Sequence, residues 1–87
     1  MNTPMVEQIR QRLTQALAPL ELDVLDEGHK HAGHANAGKG HFYVRVVSAA
    51  FAGKLPLARH RMIYAALDGL MDNGIHALAI EAEAPSS

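Results

Sequence analysis

Apolar and polar positions repeat in two different rhythms along this chain. Val6, Ile9, Leu13, Ala16, Leu17 and Leu20 recur at the three-and-four spacing of one helix face, with Glu7, Gln8, Arg10, Gln11, Arg12 and Gln15 between them. Thr3 suits an N-cap with Pro4 at the first helical position, and Pro19 stops the helix after Ala18. Leu20, Leu22 and Val24 then alternate with Glu21 and Asp23, the period of a short strand. Phe42, Val44 and Val46 alternate with Tyr43, Arg45 and Val47 in a second strand rich in β-branched and aromatic residues. Residues 48–56 read as a turn or broken helix anchored by Phe51. Leu57 opens a second helix whose stripe is Ile63, Ala66, Leu67, Leu70 and Met71; Asn73-Gly74 stops it, with Gly74 suited to the left-handed conformation. Residues 75–82 alternate again as a third strand, with Leu78 and Ile80 on one face.

The predicted order is helix, strand, strand, helix, strand. Two strands joined by one loop pair antiparallel, and a right-handed crossover through a helix makes the third strand parallel to the second. The expected fold class is α+β: an α-β-β-α-β two-layer sandwich with a three-stranded mixed sheet, the second strand central and both helices on one face. Parallel strands begin at the same end of a sheet. The loop before strand two and His76 at the start of strand three are therefore expected at one edge, which brings positions 31 and 76 together.

Length and composition narrow the class. Eighty-seven residues with 48% hydrophobic content make one domain, expected to span 1–87, near the lower limit for a single core. Two Phe, two Tyr and no Trp favour a thin core. A net charge of −1 neither attracts nor repels nucleic acid overall. With no cysteine, disulfides are excluded, and thiolate chemistry must come from another molecule. Residues 1–4 lack a basic region followed by an apolar run, and no apolar stretch approaches bilayer length; a soluble protein of the cytoplasm, without membrane contact, is expected.

Chemistry concentrates in the stretch from Gly28 to His41. It carries four of the six histidines, at positions 29, 31, 34 and 41, with four glycines and no large apolar side chain. Long connections of this kind in small domains are commonly functional, and imidazole is both a metal ligand and a proton exchanger near neutral pH. His29, His31 and His34 could hold zinc with water as a fourth ligand. A glycine-rich loop is poorly preorganised for that, and no carboxylate is assigned to orient the rings, so adventitious zinc binding is the expectation. His41 is read as ordering the hairpin end, and His60, between two arginines, as packing or capping near the start of the second helix.

Several segments together resemble the BolA family. They are Asp26-Glu27-Gly28 followed by His31; His41-Phe42-Tyr43-Val44; Val46-Val47-Ser48 with Phe51-Ala52-Gly53; Leu57-Ala58-Arg59-His60-Arg61-Met62-Ile63-Tyr64; and Ile75-His76-Ala77-Leu78-Ala79-Ile80. The resemblance covers nearly the whole chain. It implies a fold similar to the class II KH domain and two activities. One is partnership with a monothiol glutaredoxin, the two proteins sharing a [2Fe-2S] cluster in iron–sulfur trafficking or in iron and stress regulation. The family's ligands in this role, a residue of the first hairpin loop and the histidine of the last strand, map onto His31 and His76, with His34 the next loop candidate. The remaining ligands would be the partner's active-site thiolate and glutathione. Mixed imidazole and thiolate ligation of such a cluster is chemically sound.

The other implied activity is DNA binding as a transcriptional regulator. Lys54, Arg59 and Arg61 around the second helix, with Arg45, form the credible basic set. The Gly-x-x-Gly loop of a KH nucleic-acid surface is absent: the segment reads Gly53-Lys54-Leu55-Pro56. No serine or cysteine nucleophile, phosphate-cradling loop or carboxylate pair is evident, so an enzyme is not expected. The choice among loop histidines 29, 31 and 34, the client or promoter, and homodimerisation of the apo chain stay open at this point.

Overall fold

A computed structural model describes residues 4–27 and 40–86. Helix α1 spans Met5–Leu17 and strand β1 Glu21–Asp26; β2 covers His41–Val47, α2 Pro56–Ala66 and β3 Ala77–Glu83, with a 3-10 turn at Ala49–Phe51. The sheet order is β1-β2-β3, with β1 and β2 antiparallel and β2 and β3 parallel, as the crossover rule requires. The α+β two-layer sandwich is confirmed. Among the described residues no helix is long and apolar enough to cross a membrane.

The core forms where the two rhythms meet. Ile9, Leu13 and Leu17 from α1 pack with Val24, Phe42, Val44 and Val46 from the sheet and with Phe51, Ile63, Leu67, Leu70 and Ile75. Even-numbered strand positions point into this cluster and odd-numbered ones away from it, because side chains alternate along a strand and both registers pair odd with odd. Ser48, the one buried polar residue among those described, donates its hydroxyl to the Leu17 carbonyl at 2.6 Å and accepts from the Ala50 amide at 3.1 Å. It thus fastens the end of α1 to the turn that carries Phe51.

Several boundaries differ from the sequence reading. Pro4 is the N-cap rather than the first helical residue, and Thr3 lies outside the described residues. Ala18 closes α1 at φ +44 with its amide on the Thr14 carbonyl, since the ring of Pro19 disfavours a further right-handed residue there. Ala16 and Leu20, assigned to the core face, are exposed; Leu20 has already left the helix and begins the approach to β1.

Helix α2 ends at Ala66, well short of Asn73-Gly74. Successive tight turns follow: Asp68 bonds to the Ala65 carbonyl, Leu70 to that of Leu67 and Asn73 to that of Leu70. Gly69, at φ +87, breaks the helical ladder, while Gly74, at φ +151, lies outside the left-handed helical well. Three-residue turns keep Leu67 and Leu70 on the core side at nearly helical spacing. Their apolar stripe therefore imitated a longer helix. Strand β3 starts at Ala77, two residues later than expected.

Candidate functional site

Gly40 is the joint between the histidine loop and the last strand. Its carbonyl accepts from the His76 amide at 2.8 Å and the Ala77 amide at 3.1 Å. Its φ of +74 is readily reached only by glycine, and a Cβ there would lie 2.6 Å from the Gly74 carbonyl oxygen and 2.9 Å from the His76 nitrogen. On the other side, the Glu27 amide donates to the His41 carbonyl at 2.8 Å. The two ends of the 28–39 loop are thereby held together at the sheet end where His76 stands. The loop histidines 29, 31 and 34 themselves lie outside the described residues.

The parallel register places His41 opposite Ala77, so His41 and His76 are neighbours across the gap between strands. Their rings stack, with centroids 5.9 Å apart and planes 12° from parallel. His76 is exposed at the mouth of a depression of about 380 Å³ lined also by Gly40, Met71, Asp72, Gly74 and Ile75. Among the described residues no group of three His, Cys, Asp or Glu side chains is placed to hold a metal ion. The described part of this end offers the imidazoles of His41 and His76, with the Asp72 carboxylate lining the same depression. The closeness of His41 to His76 escaped the sequence reading, although the register argument that brought positions 31 and 76 together applies equally to 41.

The basic candidates sit elsewhere. Lys54 and Arg61 are exposed, whereas Arg59 is half-buried and donates from Nε to the Lys54 carbonyl at 2.8 Å and from a terminal nitrogen to the Ala82 carbonyl at 3.1 Å. Arg59 thus ties the approach to α2 onto the far end of β3, six residues from His76, about 20 Å at strand rise. Arg45 bonds Glu21 at 3.0 Å and Asp23 at 3.3 Å and pairs with Glu83 at 3.6 Å. The Glu21 hydrogen bond first, with the negative charge of Glu21, raises its pKa further above the arginine range.

The BolA-like protein family model matches residues 13–87. An uncharacterized protein in the cobS 5′ region of Sinorhizobium sp is 44% identical over 85 residues, covering 93% of this chain and 91% of that protein. SufE-like protein 1 of Arabidopsis thaliana is 43% identical over 86 residues, covering 91% of this chain but only 23% of that longer protein. The DNA-binding transcriptional regulator BolA of Escherichia coli K12 is 40% identical over 74 residues, or 85% of this chain and 70% of the regulator. The solved BolA domain of SufE1 from Arabidopsis thaliana superposes with a TM-score of 0.84 at 42% identity, over 98% of this chain and 96% of that one. A family model spanning most of the sequence and a solved domain of the same architecture lead to one conclusion: this chain belongs to the BolA family.

Proposed function

We propose that the chain is a binding adaptor that pairs with a monothiol glutaredoxin and shares a [2Fe-2S] cluster with it, His76 and a loop histidine being this chain's ligands. The observation that carries the reading is the pinning of both loop ends beside an exposed His76 that already stacks on His41. His31 follows Glu27 by four residues, a reach of at most about 14 Å along the chain, and His34 precedes Gly40 by six, about 20 Å. Either lies within tether distance of His76.

The donor set fits such a group. Neutral imidazoles ligate the iron of two-iron clusters alongside thiolates, and a chain with no cysteine requires the thiolates from outside. When bound, the cluster would supply one-electron chemistry and a transferable iron–sulfur unit. The chain's own part is to hold His76 through the Gly40 carbonyl, to keep the loop rooted beside it, and to leave the other coordination positions to the partner. Cytoplasmic iron–sulfur trafficking or iron and stress regulation is the corresponding role. The test is anaerobic co-purification with a monothiol glutaredoxin and glutathione, comparing visible absorption and circular dichroism for wild type, His31→Ala, His34→Ala and His76→Ala.

A second reading is supported by the name of the Escherichia coli relative: DNA binding through Lys54 and Arg61. It predicts affinity that falls steeply with salt and is lost in Lys54→Ala with Arg61→Ala.

A further inference from the structure

Both helices cover one face of the sheet, and among the described residues no layer lies over the other. On that open face the registers set four rows: His41 beside Ala77; then Leu25, Tyr43 and Ala79; then Asp23, Arg45 and Glu81; then Glu21, Val47 and Glu83. The face changes character along its length. It begins at the imidazole end and passes an apolar row in which Leu25 is 52% exposed. It ends in four carboxylates against one guanidinium: Arg45 bonds Glu21 and Asp23 and pairs with Glu83, while Glu81 accepts from the Tyr43 hydroxyl, so negative charge stays in excess there.

The acidic end is also concave. A depression of about 280 Å³ is lined by Leu20, Glu21, Arg45, Val47, Glu83 and Pro85. Val47 is buried there although it lies outside the core cluster. Carboxylates on apolar walls suit the long stem and cationic head of a lysine or arginine. They repel an acidic or phosphate-bearing molecule.

Resting on the glutaredoxin reading, we propose that this open sheet face is where the thiolate-bearing partner docks, with a lysine or arginine of that partner seated in the acidic depression. A partner whose thiolate approaches His76 lies beside His41, covers Leu25 and Tyr43, and reaches the carboxylates four to six residues further along β2. At strand rise its basic cluster therefore stands about 13–20 Å from its thiolate. The basic residues around α2 stay outside this contact, because α2 packs on the opposite face.

The test uses the isotope-labelled full chain titrated with an apo monothiol glutaredoxin in glutathione buffer. Amide shifts are expected at odd-numbered positions of β1, β2 and β3, with affinity falling as salt rises. Glu21→Lys combined with Glu83→Lys should weaken binding roughly tenfold and remove most of the salt dependence, whereas Lys54→Glu with Arg61→Glu should change it by less than about twofold. Shifts confined to α2 in the wild-type chain, which need no variant to fold, would overturn the proposal. So would an unchanged affinity in the folded lysine variant. His76→Ala separates the two claims: it should abolish the cluster spectrum and leave apo docking intact. A wild-type complex that never forms removes the glutaredoxin reading and this surface together, while a complex that ignores the carboxylates removes only the surface.

Discussion

His41 and His76, thirty-five residues apart in the chain, stack with ring centroids 5.9 Å apart because Gly40 accepts hydrogen bonds from both His76 and Ala77. The proposed site is therefore built on backbone geometry at a glycine. Gly40→Ala should place a Cβ against the Gly74 carbonyl at an unfavourable φ and cost about 2–3 kcal/mol in urea unfolding. Variant and wild type of equal stability would show that the joint is not tight.

Ser48 and Phe51 carry the corner that joins α1 to the sheet. Phe51→Ala removes a fully buried ring and should cost about 3–5 kcal/mol. Ser48→Ala leaves the Leu17 carbonyl without its side-chain donor in a buried setting and should cost about 1–3 kcal/mol. Thermal or urea unfolding measures both, and a loss below about 0.5 kcal/mol in either would contradict this account of the corner.

Arg59 separates a structural from a DNA-contacting role. Its two bonds to the Lys54 and Ala82 carbonyls use different nitrogens of one planar group, which an ammonium does not reproduce. Arg59→Lys should therefore lose nearly as much stability as Arg59→Ala, about 1 kcal/mol each. A lysine variant as stable as wild type would return Arg59 to the set of simple charged contacts.

Tyr43 supplies a pH signature of the open sheet face. Its hydroxyl donates to Glu81 Oε2 at 2.9 Å. That hydrogen bond, more than the smaller effects of lost hydration and the Glu81 charge, raises the phenol above its ordinary value near 10. The folded state thus favours the protonated phenol. Its contribution to stability is complete below the unfolded phenol's pKa and disappears as pH rises through the raised folded value. In a Tyr64→Phe background, ultraviolet titration should show Tyr43 ionising at lower pH once Glu81→Gln is introduced. Coincident curves would show that the contact does not form in solution.

Much of this architecture was legible in the sequence. Alternation at Phe42, Val44 and Val46, and helical spacing at Ile9, Leu13 and Leu17, report burial directly, and all six are core residues. The extent of α2 was not legible, since the turns after Ala66 preserve the apolar spacing that defines a helix on paper. Register logic anticipated His76 beside Gly40, where the described chain resumes after the loop. It could not reveal the stack on His41, which depends on the φ of Gly40 and on ring orientation. The sequence likewise grouped Arg45 and Arg59 with Lys54 and Arg61 as basic surface. Only the folded chain shows Arg45 held by carboxylates across the sheet and Arg59 held by carbonyls at its far edge.

Ligation by imidazole also requires its neutral form. The heterodimeric cluster should bleach at mildly acidic pH sooner than a cluster held by thiolates alone. Equal acid stability of the two would argue against histidine ligands.

The most direct measurement is the visible circular dichroism of the anaerobically purified complex with a monothiol glutaredoxin, recorded for wild type and for His76→Ala matched in fold and in binding of the apo partner. The account predicts that the wild-type complex is coloured and that His76→Ala loses or reshapes the heterodimer spectrum. An unchanged spectrum in His76→Ala would contradict the assignment of His76 as a ligand.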